Sequence, residues 1–157
     1  MSTDNIAARV ARLGYTLPKP TVPAASYVAW MKTGNLLFIS GQVPKGVDGK
    51  DNFLGKLGDQ YKIEQGQEAA RLCAVNVLAQ LNDAVGGDIS RVRRCVRIGG
   101  FVNAAPHFDQ HPSVINGASD LIVGVFGDAG KHTRVAVGVS GLPRNVAVEV
   151  DAIFEID

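Results

Sequence analysis

The chain has 157 residues, a length suited to one domain, and its 46% hydrophobic content is enough to build a core. A formal net charge of +1, from 16 basic and 15 acidic side chains, gives no field for nucleic acid or an anionic membrane, and 6% aromatic content gives no stacking platform for bases. No apolar run reaches the roughly 18 residues of a transmembrane helix, and the first residues lack the basic-then-apolar order of a secretory signal.

The first element expected is a short helix over residues 4–13, capped by Thr3 or Asp4 and stopped at Gly14, with Ile6, Val10 and Leu13 as its apolar stripe. Residues 15–23 carry three prolines and read as an extended connector. Strands over residues 27–32 and 36–40 flank a Thr33-Gly34-Asn35 turn. Residues 41–59 are glycine-rich and polar, a loop long enough to be functional or mobile.

Residues 63–86 form the clearest helix. Ala70, Cys73, Ala74, Val77, Leu81 and Val85 recur at helical spacing, and Gly86-Gly87 stops it. A strand over residues 89–102 follows. Its Arg91, Arg93, Arg94 and Arg97 point to a solvated face or edge, with an oligomer contact as the alternative. A second helix is expected over residues 111–126, with Pro112 in its first turn and Val114, Ile115, Ala118, Leu121, Ile122 and Val125 on its apolar face. Cys73 and Cys95 lack any CxxC or Cys/His metal spacing, so both are expected to be buried free thiols in a reducing, cytoplasmic setting.

The last segment holds two alternating runs around a short Gly/Pro/Asn loop. Val135, Val137 and Val139 share one face of the first; Val146, Val148 and Val150 share one face of the second. An antiparallel hairpin is the simplest expectation. If both valine faces cover one core, Arg134 and Glu149 fall on the same opposite face, roughly 7–8 Å apart on a diagonal. A guanidinium beside a carboxylate on a surface of Ala136 and Gly138 can hold a small acid and activate a water; a surface ion pair is the structural alternative. The element order, α-β-β-α-β-α-β-β, implies an α+β layer with helices on one sheet face. The other face, half-polar, is left to meet water, a ligand or another subunit.

His107, His111 and His132 are scattered over connectors and a helix start and read as surface histidines. Ser40 lacks a GxSxG elbow and reads as a turn or cleft serine. Tyr27 is a half-buried strand aromatic or a ligand contact, and Asn116 a solvent-facing amide or a cleft residue.

Several segments together carry a resemblance. They are Ser26-Tyr27-Val28, Ile39-Ser40-Gly41-Gln42-Val43-Pro44, the alanine-rich run Ala69-Ala-Arg-Leu-Cys-Ala-Val-Asn-Val-Leu, an Asn on the second helix, and Arg134 through Ala152 with its R-x-x-V-x-V-x-x-L-P and V-E-V-D-A spacing. The combination resembles the reactive intermediate deaminase family, also called YjgF-like or endoribonuclease L-PSP-like, over about residues 25–157. The resemblance implies a chorismate-mutase-like (bacillus type) sheet with two main helices on one face. It also implies a homotrimer with ligand clefts between subunits, and hydrolysis of enamine/imine intermediates such as 2-aminoacrylate to 2-oxo acids and ammonia, with no metal or organic cofactor. By position, Arg134 matches the carboxylate-gripping arginine and Glu149 the water-activating carboxylate, while Tyr27, Ser40, Gly41 and Asn116 match cleft residues. A cysteine usual two residues after the arginine is Ala136 here, and an acidic residue often found two further on is Gly138. The N-terminal helix and the 41–59 loop resemble a longer subgroup. A non-catalytic carboxylate sensor is the alternative function, and a ribonuclease a third, which the near-neutral charge disfavours.

Overall fold

In the computed structural model, described over residues 3–157, local signals set the helices. Helix α1 (Ile6–Arg12) begins at Asn5, whose side chain accepts the Ala8 N–H at 2.8 Å, so the cap lies one residue beyond the expected Asp4. Ile6 and Val10 bury this helix against the main helical layer. Helix α2 (Ile63–Ala84) opens where Gln65 Oε1 accepts the Lys62 N–H at 2.9 Å. Helix α3 (His111–Phe126) follows the predicted span and ends at Gly127, whose φ of 61° suits glycine.

The strands are β1 (Trp30–Thr33), β2 (Leu36–Gln42), β3 (Val92–Asn103), β4 (Thr133–Val139) and β5 (Val148–Ile156). They form one sheet in the order β1-β2-β5-β3-β4. All neighbours are antiparallel except β3 and β4, which run parallel and are joined through α3, the kind of crossover that parallel strands need. The architecture is therefore α+β, with α2 and α3 on one face and the short α1 packed beside them. Leu37, Ile98, Val102, Val148, Val150 and Phe154 pack from the sheet into that helical layer.

The expected β4–β5 hairpin does not form. β3 lies between the two strands. The chain leaves β4, crosses the end of β3, and enters β5 on its far side. Asn103, the last residue of β3, holds that crossing: its backbone N–H donates to Ala147 O at 2.9 Å and its Nδ2 donates to Val146 O at 3.1 Å. The 41–59 loop is the other support. Gly55 N–H donates to Asn145 O and Ala147 N–H to Phe53 O, both at 2.8 Å, and Leu57 is fully buried. The loop therefore builds the scaffold rather than hanging from it.

Separating the strands also reverses the face assignment. Arg134 pairs with the buried Ile98, so it lies on the helical side together with Ala136. The small residues of β4 sit beneath α3, where a Cβ on Gly138 would overlap the His111 ring. Val135 and Val137 point to the open face and remain 43% exposed. On β5 the parity is opposite: Val148 and Val150 enter the core and Glu149 faces away from it.

On the open face, β3 arginines meet acids of the C-terminal strand. Arg94 pairs with Glu155 at 3.1 Å and Arg97 with Asp151 at 3.3 Å. Both cysteines are free and buried, and burial pushes the Cys95 thiol up to about 12. No helix among the described residues is long and apolar enough to cross a membrane.

Candidate active site

A β-bulge between Ile39 and Gln42 breaks the β2–β5 ladder, and Ser40 and Gly41 occupy it. The bulge opens a cavity of about 390 Å³ beside Glu149, lined also by Tyr27, Ser40, Gly41, Asn76 and Arg144. Ser40 Oγ donates to Val28 O at 2.7 Å, so its proton serves the strand edge rather than a base. The wall opposite the bulge comes from the N-terminal connector, residues 21–25. Gln80, buried on α2, anchors it by donating from Nε2 to Thr21 O at 2.9 Å. Asn76 holds the next turn of chain, donating to Lys45 O at 2.9 Å.

Burial raises the pKa of Glu149, the charge of Asp151 raises it further, and Arg144 opposes both. Arg144 adopts a left-handed backbone, φ 53°, and its guanidinium pairs with Asp51. Burial, which raises this carboxylate above its ordinary range, makes it hold a proton more readily than an exposed glutamate and so suits it to proton exchange.

Arg134 belongs to a second cluster. Its Nη1 donates to Asn116 Oδ1 at 2.9 Å and to Ser119 Oγ at 3.1 Å, both on α3. Asn116 is exposed on α3 and lies outside the Glu149 cavity; its amide oxygen holds the arginine. His132 is not a plain surface histidine either. It is half-buried, with Nε2 2.9 Å from Ser119 Oγ and Nδ1 2.6 Å from Gly130 O.

The six residues expected at the site therefore fall into two groups. Tyr27, Ser40, Gly41 and Glu149 come together at the bulge; Arg134 and Asn116 come together at the β4 edge. Within one chain the groups lie on different sheet faces with β3 between their strands, which overturns the diagonal Arg134–Glu149 pair. Arg144, Asn76, Ser119 and His132 were not expected at either place. Arg144 and Asn76 stand inside the quoted motifs, but nothing in their local spacing marks them as cavity residues. No group of three or more His, Cys, Asp or Glu among the described residues could hold a metal ion.

Comparison with known proteins places this geometry. The family model described as "YjgF/chorismate_mutase-like, putative endoribonuclease" matches residues 7–156. The chain belongs to the YjgF/chorismate mutase-like family. Among relatives in that family, protein TCP17 of Trypanosoma cruzi is 44% identical over 100% of this chain and 98% of its own. The RutC family protein PH0854 of Pyrococcus horikoshii is 31% identical over 87% of this chain and 89% of its own. A crystal structure of the protein Atu1372 from Agrobacterium tumefaciens, of unknown function, superimposes with a TM-score of 0.91 at 47% identity, covering 97% of this chain and 92% of that one. The YjgF-like match begins inside α1, so the N-terminal helix that buries Ile6 and Val10 lies largely within the family span.

Proposed function

We propose that this YjgF-like protein is a cofactor-independent hydrolase. It deaminates enamine/imine intermediates of the 2-aminoacrylate type to 2-oxo acids and ammonia, in clefts formed between subunits of a homotrimer. The observation that carries this reading is the division of the site. A cation, Arg134, and a carboxylate whose pKa burial raises, Glu149, are both present, yet one chain keeps them on opposite sheet faces. A cyclic assembly that lays the Arg134 edge of one copy against the Glu149 cavity of the next would complete the site. The half-exposed Phe38, Val135 and Val137 of the open face support such an assembly.

In that cleft Arg134 takes the substrate carboxylate in a planar fork, which fixes the plane of the conjugated imine. Glu149 removes a proton from water as the oxygen adds to the imine carbon. That proton passes to nitrogen to give the carbinolamine; the carbinol O–H proton is then relayed to nitrogen as the C–N bond breaks, so ammonia leaves and the oxygen becomes the oxo group. Holding both reactants contributes much of the acceleration for a substrate that already hydrolyses in water. The reading includes a cytoplasmic setting, which the two free thiols support.

The test generates 2-aminoacrylate enzymatically and follows pyruvate release with and without the protein, beside light scattering at micromolar concentration. Faster release from a trimer supports the reading. Pyruvate binding without faster release would make the protein a carboxylate sensor, and a stable monomer would remove the shared cleft.

A further inference from the structure

Arg134 is held by a chain of hydrogen bonds whose directions follow from the neutral form of His132. The Gly130 carbonyl can only accept, so at 2.6 Å it places the proton of a neutral His132 on Nδ1. His132 Nε2 then carries a lone pair and accepts the Ser119 hydroxyl proton at 2.9 Å. The Ser119 oxygen, its own proton directed at His132, accepts from Arg134 Nη1 at 3.1 Å. Asn116 Oδ1 takes the other Nη1 hydrogen at 2.9 Å.

The chain has a rigid origin. Gly130 ends the turn Gly127–Gly130, and a Cβ there would come within 2.6 Å of Ile122 O on α3. That turn sits tight against the helix and fixes the carbonyl that orients His132. Ser119 follows Asn116 by three residues, so one face of α3 supplies both Nη1 acceptors.

We propose that Ser119 and His132 are positioning residues for Arg134, which together with Asn116 leave only the Nε–Nη2 edge of its guanidinium to meet a ligand carboxylate. A guanidinium has five N–H groups and can present a fork either end-on, through Nη1 and Nη2, or side-on, through Nε and Nη2. Both Nη1 hydrogens are committed to α3, which blocks the end-on fork. The remaining contact, Nη2 to Pro112 O, is long at 3.5 Å and leaves the side-on pair open. The ligand half of this proposal rests on the carboxylate-clamp reading above; the anchoring half does not.

The experiment compares wild type with Ser119→Ala, His132→Phe and Ser119→Thr. Without ligand, ¹⁵N NMR of the Arg134 side chain, assigned through Arg134→Lys, should show separate Nη1 and Nη2 signals in wild type and Ser119→Thr. The signals should merge in Ser119→Ala and His132→Phe, where Nη1 keeps Asn116 but loses the oriented serine acceptor and the guanidinium rotates faster. Calorimetric titration with pyruvate should then show affinity about tenfold weaker in the two disrupting variants, and KM for 2-aminoacrylate should rise while kcat changes less than about twofold. The threonine variant, which keeps the hydroxyl, should restore both. Signals that stay separate in Ser119→Ala and His132→Phe would overturn the anchoring, and unchanged pyruvate affinity after the signals merge would overturn the positioning role. If wild type neither binds pyruvate nor accelerates its release, the hydrolase reading fails while the NMR comparison still judges the anchoring.

Discussion

Gly41 lies against the Glu149 carboxylate so closely that a Cβ on it would overlap Oε1. The backbone of the β2 bulge and the side chain from β5 thus share one space, and glycine is required there by contact rather than by conformation, since its φ is not positive. Gly41→Ala should displace the carboxylate and lower kcat about a hundredfold, the scale of an ångström misplacement. Thermal unfolding should change little because Gly41 is exposed. Unchanged turnover would show that Glu149 does not act from this position.

Arg144 is the group that opposes the upward shift of Glu149. A base works ionised, so turnover should fall as pH drops through the raised Glu149 pKa. Arg144→Ala should move that acid limb to higher pH, and a kcat/KM profile against pH would show it. The stability sign is opposite. With the folded pKa above the unfolded value, the folded chain holds the proton more tightly, so Glu149 costs stability as pH rises through that window. Glu149→Gln should therefore melt no lower than wild type at neutral pH, although it loses turnover.

Gly117 marks a tight approach of α3 to α2: a Cβ there would overlap the backbone carbonyl of Gln67. Gly117→Ala gains helix propensity, about 1 kcal/mol, but must push apart two helices that carry the core. Overpacking should prevail, with a net loss of about 1–3 kcal/mol in urea unfolding. A stabilised variant would contradict the tight crossing.

The helices were legible because their signals are local. The 3.6-residue recurrence from Ala70 to Val85 and Pro112 at a helix start each act within a few residues. Strand order was not legible, because alternation marks a strand without naming its neighbour. The short 140–147 connection looked like a hairpin, but its partners, Phe53, Gly55 and Asn103, are remote in sequence and carry it past β3. That crossing undid the assumption that both valine faces cover one core. Motif resemblance points to the proposed site residues one by one, whereas their division into two clusters, and the Ser119–His132 chain, depend on contacts that no spacing encodes.

The expectation is that Arg134 and Glu149 act together only across two copies of the chain. It is tested most directly by mixing Arg134→Ala with Glu149→Gln, each expected to be inactive alone, and allowing subunits to re-associate. In a randomly mixed cyclic trimer about one quarter of the clefts receive an intact Arg134 from one copy and an intact Glu149 from the next. Pyruvate release from 2-aminoacrylate should recover to about that fraction of wild type. If the site were complete within one chain, no subunit of the mixture would hold both groups, and a mixture as inactive as its parents, despite confirmed exchange of subunits, would contradict the account.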